Sequence, residues 1–401
     1  MLVPTNETKP KVPPVLFDIL ALTLGAVHFA IPLGYYIYLK RYAMKPWNLK
    51  IDESYRPKST IIIPTYNEAE MIEQRLDDTI EQDYPKEKLE LILIDSASDD
   101  GTPEIVERWM KKHPYMNVKL IREKERRGKV YALNNALSKV SDNAEIVIVT
   151  DADCLWRKDA VKNAVKYFGD PIVGAVTCSI YPMQSAQGLG FSFDKEYRDF
   201  NNTVRIAESK SWSTPIAHGP FIAYRRKCLA KLGGIPNKGV DDSTPFALIA
   251  LNGHRSIQAP GIYVYEFVPG DLKSGLARRL RRAHHLISHF AKMVKNIPSA
   301  PNPFKKILGI EIYLHTMNPW LLPIAMVLIA VSMVTNFRYA LLSIGFWASI
   351  LGAMLFTLYP SFRTWILTQF LMIGATINYM LKGELYTWKP ISRREWTPKP
   401  Q

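Results

Sequence analysis

The chain has 401 residues, with 51 Lys and Arg against 37 Asp and Glu, a formal charge of +14. That length holds one large domain, or two, with segments to spare. The basic excess fits anionic partners, but there is no zinc-finger spacing or RNP-like motif, and basic residues sit beside apolar stretches. We therefore read membrane lipids and phosphate, with no nucleic acid. Cys154, Cys178 and Cys228 are too scattered for a metal-ligand pattern or a disulfide framework, as in a reducing compartment.

In chain order, residues 1–14 carry Pro4, Pro10, Pro13 and Pro14 and read as an irregular tail. Residues 15–39 are almost uniformly apolar, with Asp18 and His28 as the ionisable exceptions. At about 1.5 Å per residue such a helix crosses a bilayer core of roughly 30 Å. A secretory signal has a shorter apolar core and a small-residue cleavage site, and none occurs after this stretch. Lys40, Arg41, Lys45 and Lys50 come after the span, against Lys9 and Lys11 before it. The positive-inside bias puts the residues after the span in the cytoplasm.

From Ser59 the texture changes to short alternating strands and helices. Thr60–Pro64, Leu89–Ile94, Val118–Arg122 and Ile146–Val149 read as strands. Segments 70–82, 104–112 and 130–139 have helical spacing between them, with Pro103 at a helix start. This alternation predicts an α/β domain with a mostly parallel sheet and helices on its faces. Polar turns come after the strands, so Tyr66, Glu68, Asp95 and Asp153 gather along one sheet edge, where nucleotides bind in open α/β sheets. Neither a glycine-rich dinucleotide fingerprint nor a phosphate loop is present, so side chains and metal would have to hold a nucleotide. Asp151-Ala152-Asp153, at the end of a β-branched run, suits Mg²⁺ or Mn²⁺ bridging to phosphate oxygens. The same residues also fit an acidic turn.

Five pieces in order carry a resemblance: Pro64-Thr65-Tyr66-Asn67-Glu68, Asp95 to Gly101, Gly128-Lys129, Asp151-Ala152-Asp153 and Asp241-Asp242. With them the chain resembles the family 2 glycosyltransferases over about Ser59–Arg282. The resemblance implies a GT-A (nucleotide-diphospho-sugar transferase) domain over 59–269, with flanking transmembrane and interfacial helices. It also implies that Pro64, Thr65, Tyr66, Glu68, Ile94 and Asp95 surround the base and ribose of a nucleotide sugar. Lys129 would approach the diphosphate. Asp151, Ala152 and Asp153 would hold nucleotide and metal, with Asp153 the more direct ligand. By residue type alone, Glu68 also fits an acid at a helix start, and Lys129 a solvated loop charge.

Asp242 takes the general-base position of the family, with Asp241 beside it and Gly253 eleven residues further on. It also fits a helix N-cap, and the two roles are compatible. His218, in His218-Gly-Pro-Phe-Ile-Ala-Tyr-Arg-Arg226, falls in the family's acceptor-side motif or is a packed turn residue. Processive members carry Gln-x-x-Arg-Trp where this chain has Arg278-Arg-Leu-Arg281-Arg282, so the polymer-stacking aromatic is missing. Arg278 and Arg281 would still meet the donor's diphosphate, and the other guanidiniums could hold a lipid phosphate.

Residues 270–300 read as a basic interfacial helix region, with a second amphipathic segment over Gly188–Arg205. In 305–381, three apolar stretches near Ile310–Val334, Tyr339–Leu358 and Thr364–Met380 precede a basic tail, 382–401. Four spans would put that tail outside, against its charge, so one stretch is expected to be interfacial or re-entrant. Together these features predict a multi-pass cell-membrane enzyme with its catalytic domain in the cytoplasm. It would be an inverting, metal-dependent hexosyltransferase using GDP-mannose or a UDP-hexose. The acceptor would be a lipid-linked glycan, in resemblance to archaeal membrane mannosyltransferases of N-glycan assembly. The alternatives are a processive polysaccharide synthase and a polyprenyl-phosphate hexose synthase.

Overall fold

Strand β1 (Ser59–Thr65) is buried on both faces, and this explains its unbroken Ile61-Ile62-Ile63 run. The computed structural model describes residues 14–183, 189–237, 239–267, 272–335 and 343–384. The expected tails at 1–13 and 385–401, the first residues of the Tyr339 stretch and Gly188 lie outside the described residues, as do the side chains of Phe191, Phe193 and Tyr197.

Strands β2 (Leu89–Asp95), β3 (Asn117–Arg122), β4 (Ile146–Val149), β5 (Cys154–Trp156), β6 (Val173–Met183), β7 (Ile222–Arg225) and β8 (Arg255–Phe267) complete one sheet, ordered β3-β2-β1-β4-β7-β6-β8-β5. The first four strands pair in parallel, as their pattern predicts. Beyond β4 the sheet becomes mixed: β7 is antiparallel to β4 and β6, and β5 to β8. The expectation of a mostly parallel sheet therefore holds for the N-terminal half. In the C-terminal half β6 and β8 still pair in parallel, and the antiparallel partners are joined by long connections that local pattern does not reveal.

Strand alternation sorts the core into two layers. Ile61, Ile63, Leu91, Leu93, Ile146 and Ile148 face helices α2 (Ile72–Ile80), α3 (Thr102–Lys112) and α5 (Ala160–Val165). Ile62, Ile92, Val147 and Val149 face α4 (Lys129–Leu137), α7 (Arg226–Lys231) and α8 (Ser243–Leu251). The strand order reverses direction at β1 and β4. Their C-terminal ends lie side by side, with Ile62 opposite Val149. That crevice is where such sheets bind ligands.

Helix α1 (Pro14–Ala43) precedes the sheet, and α6 (Leu189–Ser211) and α9 (Leu272–Met293) lie between it and the C-terminal helices α10 (Asn302–Thr316), α11 (Asn318–Thr335), α12 (Ile344–Leu358) and α13 (Pro360–Lys382). Among the described residues, three helical stretches are long and apolar enough to cross a membrane: Leu16–Ala43, Asn302–Thr335 and Pro360–Lys382. At 15 residues α12 is about 22 Å long, short of a hydrocarbon core of roughly 30 Å.

The C-terminal helices are packed firmly onto the sheet domain. Phe290 and Met293 of α9 and Phe304 and Leu308 of α10 pack on Ala247 and Ala250 of α8. Gly174 of β6 sits under the same helix, where a β-carbon would come within 2.5 Å of Ile249 Cγ2 and 2.9 Å of His254 Cβ. Gly174→Ala is therefore expected to destabilise the protein by about 1–3 kcal/mol through overpacking. A lowered thermal-unfolding midpoint in detergent checks this.

Candidate active site

The site begins with the turns after β1 and β2, which are stitched together by short polar side chains. Asp95, almost fully buried, accepts from Ser98 Oγ at 2.5 Å, Ser98 N at 2.9 Å and Thr65 Oγ1 at 3.2 Å. Ser98 Oγ in turn accepts from the Asn67 amide at 2.9 Å. Both turns need a left-handed residue, Asn67 at φ 56° and Ala97 at φ 59°. For alanine that conformation costs about 1–2 kcal/mol, which the Asp95–Ser98 bonds offset. The result presents Pro64, Thr65, Tyr66, Glu68 and Ser96 on the wall of a cavity of about 550 Å³. Arg126 stacks on the Tyr66 ring, its guanidinium carbon 3.9 Å from the centroid.

Of the nucleotide-site residues expected from sequence, Ile94 and Asp95 do not reach the wall. Ile94 belongs to the core beneath α4, and Asp95 spends its oxygens on the turn. They support the site from behind. The other expected residues, from Pro64 to Arg281 and including Asp242, all line the cavity.

Four carboxylates meet at its centre. Asp151 and Asp153 come after β4, whereas Asp241 and Asp242 precede α8. Lys129, the first residue of α4, donates to Asp151 Oδ1 at 2.7 Å and to Asp241 Oδ2 at 2.6 Å. Asp242 caps α8 by accepting from the Ser243 amide through Oδ1. Its other oxygen turns inward: a β-carbon on Gly219 would sit 3.7 Å from Asp242 Oδ2 and 3.2 Å from Asp151 Oδ2. The two carboxylates thus converge on one bare backbone carbon. The cap and the inward-facing roles coexist, as the sequence allows.

Neighbouring carboxylates are driven apart in acidity. Loss of surrounding water, reinforced by the Asp241 charge, pushes the Asp242 carboxyl up to about 6. Asp241 also loses water, but Lys129 outweighs that and holds its carboxyl below the ordinary range. His218 lines the cavity beside Gly219, where burial lowers its imidazole to about 3 and keeps it neutral.

The remaining wall comes from helices. Arg198 of α6, with Arg278, Arg281 and Arg282 of α9, enters the cavity. Glu266 of β8 pairs with Arg198 at 3.0 Å, with Arg278 at 2.8 Å and with Arg282. Arg278, expected on the donor's diphosphate, is thus held by a carboxylate that sequence reading does not single out. An acid closing the aromatic alternation Tyr263-Val-Tyr-Glu266 is the signal that could have found it. Gly219 and Arg198 escape sequence reading as well, since neither stands out in its own stretch.

A three-layer α/β/α sheet with paired acids and a lysine at its switch point defines a nucleotide-diphospho-sugar transferase of the GT-A class. Residues 60–233 match the glycosyl transferase family 2 domain. The mannosyltransferase PcManGT of Pyrobaculum calidifontis, solved with GDP-Man and Mn²⁺, is 43% identical, with a TM-score of 0.80 over 92% of this chain and 100% of that one. A Methanococcus voltae dolichyl N-acetyl-alpha-D-glucosaminyl phosphate 3-beta-D-2,3-diacetamido-2,3-dideoxy-beta-D-glucuronosyltransferase is 35% identical over 27% of this chain and 33% of its own. The Staphylococcus aureus poly-beta-1,6-N-acetyl-D-glucosamine synthase is 25% identical over 65% of this chain and 60% of its own. In both cases the chain spans less than two thirds of the relative's length. The chain belongs to glycosyl transferase family 2, and it is a glycosyltransferase.

Removing the Ser98 hydroxyl should loosen both nucleotide-side turns at once. Ser98→Ala is expected to cost about 1–3 kcal/mol, because Asp95 loses a buried partner. Urea titration of the purified protein measures it.

Proposed function

We propose that the enzyme transfers one hexose, with inversion, from a nucleotide sugar to a lipid-linked acceptor at the cytoplasmic membrane face. The carrying observation is the convergence of Asp242 Oδ2 and Asp151 Oδ2 on Gly219, which supports a base beside a leaving-group site. GDP-mannose is the preferred donor, supported by the 43% identity to a mannosyltransferase solved with GDP-Man. The dolichyl-linked acceptor in the name of the Methanococcus relative supports a lipid carrier.

Asp151 and Asp153 supply hard oxygen donors, and among the described residues no group of three or more His, Cys, Asp or Glu forms a complete protein cage for a metal ion. This two-carboxylate donor set fits Mg²⁺ or Mn²⁺, which complete their coordination with substrate phosphate and water. When bound, the ion neutralises charge on the departing diphosphate. Lys129 and Arg281 face the same leaving group and add fixed positive charge. The acceptor hydroxyl passes its proton to Asp242 Oδ2 as its oxygen attacks the anomeric carbon from the face opposite the diphosphate. The bond from that carbon to the diphosphate breaks, and its electron pair leaves with the nucleotide. One displacement needs one base, so the product is inverted.

Lys40 and Arg41 at the end of α1 support a cytoplasmic catalytic domain. Three long apolar helices, with α12 re-entrant, would then leave the basic tail in the cytoplasm as well. The synthase relative favours a second reading, polymer synthesis. Arg282 in the place of the stacking Trp weighs against it.

Asp242→Asn is expected to lower kcat by about 10²–10⁴-fold while nucleotide-sugar affinity is kept. Transfer assays with labelled GDP-mannose and a polyprenyl-linked acceptor test this, and undiminished transfer would reject Asp242 as base. Because a base must be ionised, kcat/KM should fall as pH drops through about 6 and plateau above it. A pH–rate profile reads this directly. Chelation should stop transfer, and added Mn²⁺ should restore it.

A further inference from the structure

The backbone ladder between β4 and β7 stops at Val149 and Ile222, short of the site. Beyond it the two chains part, one into Asp151-Ala152-Asp153, the other back to Gly219 and Pro220. A single carbonyl oxygen joins them there. Pro220 O accepts from Thr150 Oγ1 at 2.8 Å and from Trp156 Nε1 at 3.0 Å. Those two bonds use both lone pairs of the carbonyl. Thr150 stands directly before Asp151, and Trp156 comes shortly after Asp153. Between them the Cys154 thiol donates to Asp151 O at 3.3 Å and closes the acidic turn on itself. Thr150, Cys154 and Trp156 are all buried, whereas Pro220 reaches the cavity wall.

Trp156 is itself braced from behind by α2. Its amide donates to Asp78 Oδ2 at 3.1 Å, and the Arg75 guanidinium carbon lies 3.9 Å from its ring centroid. Phe221 meets the same ring edge-on at 4.6 Å between centroids. At the other end of the turn, Ala217 N donates to Ser243 Oγ at 3.1 Å, and Ser243 follows Asp242 directly. The short segment from Ala217 to Pro220 is thus tied at both ends. One end is held beside Asp242, the other beside Asp151 and Asp153. Gly219, between the ties, is the carbon on which Asp242 Oδ2 and Asp151 Oδ2 converge. Any buried threonine or tryptophan finds a hydrogen-bond partner. Two that flank one acidic turn and share one oxygen, next to that carbon, also fix a distance.

We propose that Thr150 and Trp156 are positioning residues: through Pro220 O they make the Ala217–Pro220 segment a spacer that sets Asp151 and Asp153 at a fixed separation from Asp242. The inference rests on the roles proposed above for those three carboxylates and adds the buried groups that space them. Groups behind a metal-binding carboxylate act by orienting it, and losing one costs about 10–100-fold in metal affinity or activity.

The test uses the full chain in detergent, titrated with Mn²⁺ in the presence of GDP, without sugar donor or acceptor. Free Mn²⁺ is read by electron paramagnetic resonance, so the measurement is independent of turnover. Thr150→Val keeps the side-chain shape and removes the hydroxyl, and Trp156→Phe keeps an aromatic ring and removes the N–H. Each is expected to weaken Mn²⁺ binding by about tenfold or more and to lower kcat by a similar factor. The KM for GDP-mannose should move less than kcat, and Thr150→Ser, which keeps the hydroxyl, should recover most of both losses. A role confined to stability would lower the thermal-unfolding midpoint of Thr150→Val and Trp156→Phe and leave Mn²⁺ affinity and kcat as in the wild type. That result overturns the proposal, as does a Thr150→Ser enzyme as impaired as Thr150→Val. If Trp156→Phe fails to fold, the two Thr150 variants decide the matter. Absence of Mn²⁺ binding by the wild type also overturns the proposal. Absence of sugar transfer by the wild type, with the expected Mn²⁺ pattern, would instead reject the proposed reaction and leave the anchoring of the acidic turn standing.

Discussion

A single ammonium between two carboxylates is the interaction on which the rest of this structure depends. Lys129 reaches Asp151 on one side and Asp241 on the other, joining the end of β4 to the start of α8. Without a cation there, Asp151, Asp153, Asp241 and Asp242 would repel one another across a half-buried cleft. At an effective dielectric of about 20, each unit pair at 4 Å contributes about 4 kcal/mol. The lysine also makes the two adjacent acids unequal. Asp241 is held ionised by it, whereas Asp242, turned toward Gly219, is pushed up to about 6. Environments that separate neighbouring carboxylates in this way are how one site obtains distinct electrostatic and proton-transfer groups.

That arrangement needs a rigid frame, and the doubly covered sheet supplies it. Because β1 and β4 bury both faces, neither can slide by one residue without driving its isoleucines and valines into the wrong layer. The register that aligns Ile62 with Val149 therefore also aligns the Tyr66 turn with Asp151. The Asp95–Ser98 lock then holds the turn in a conformation that its own residues disfavour.

The apolar helices are tied to the same frame by a buried ionic network. Arg205 of α6 pairs with Glu208 and, at 2.7 Å, with Glu311 of α10, while Tyr35 of α1 donates to Glu208 at 2.6 Å. Two carboxylates share one guanidinium, and Glu208 is pushed up to about 8 by burial and by Glu311. The network joins three helices, and Arg205 also lines the catalytic cavity. The sheet domain and the apolar helices thus share one polar joint, which fixes the cleft relative to those helices.

Much of this was legible in the residues. Apolar runs closing on Asp95 and Asp151 marked the strands and the sheet edge, because a fully buried strand must be apolar and its turn must not. The acidic pair that lines the cavity could be found from Asp241-Asp242 and Gly253, and the long apolar helix over 15–39 by length alone. These are local properties, carried by periodicity and short motifs. The antiparallel β5–β8 pairing, the seat of Ile94 and Asp95 behind the cavity wall and the Glu266 hub were not legible. Each depends on residues far apart in sequence: Glu266 meets Arg198 across 68 positions. Which residues form strands and which acids close them was determined by the sequence itself. Which charges meet was decided by tertiary structure, because Coulomb energy depends on distance in space and the chain order leaves that distance open.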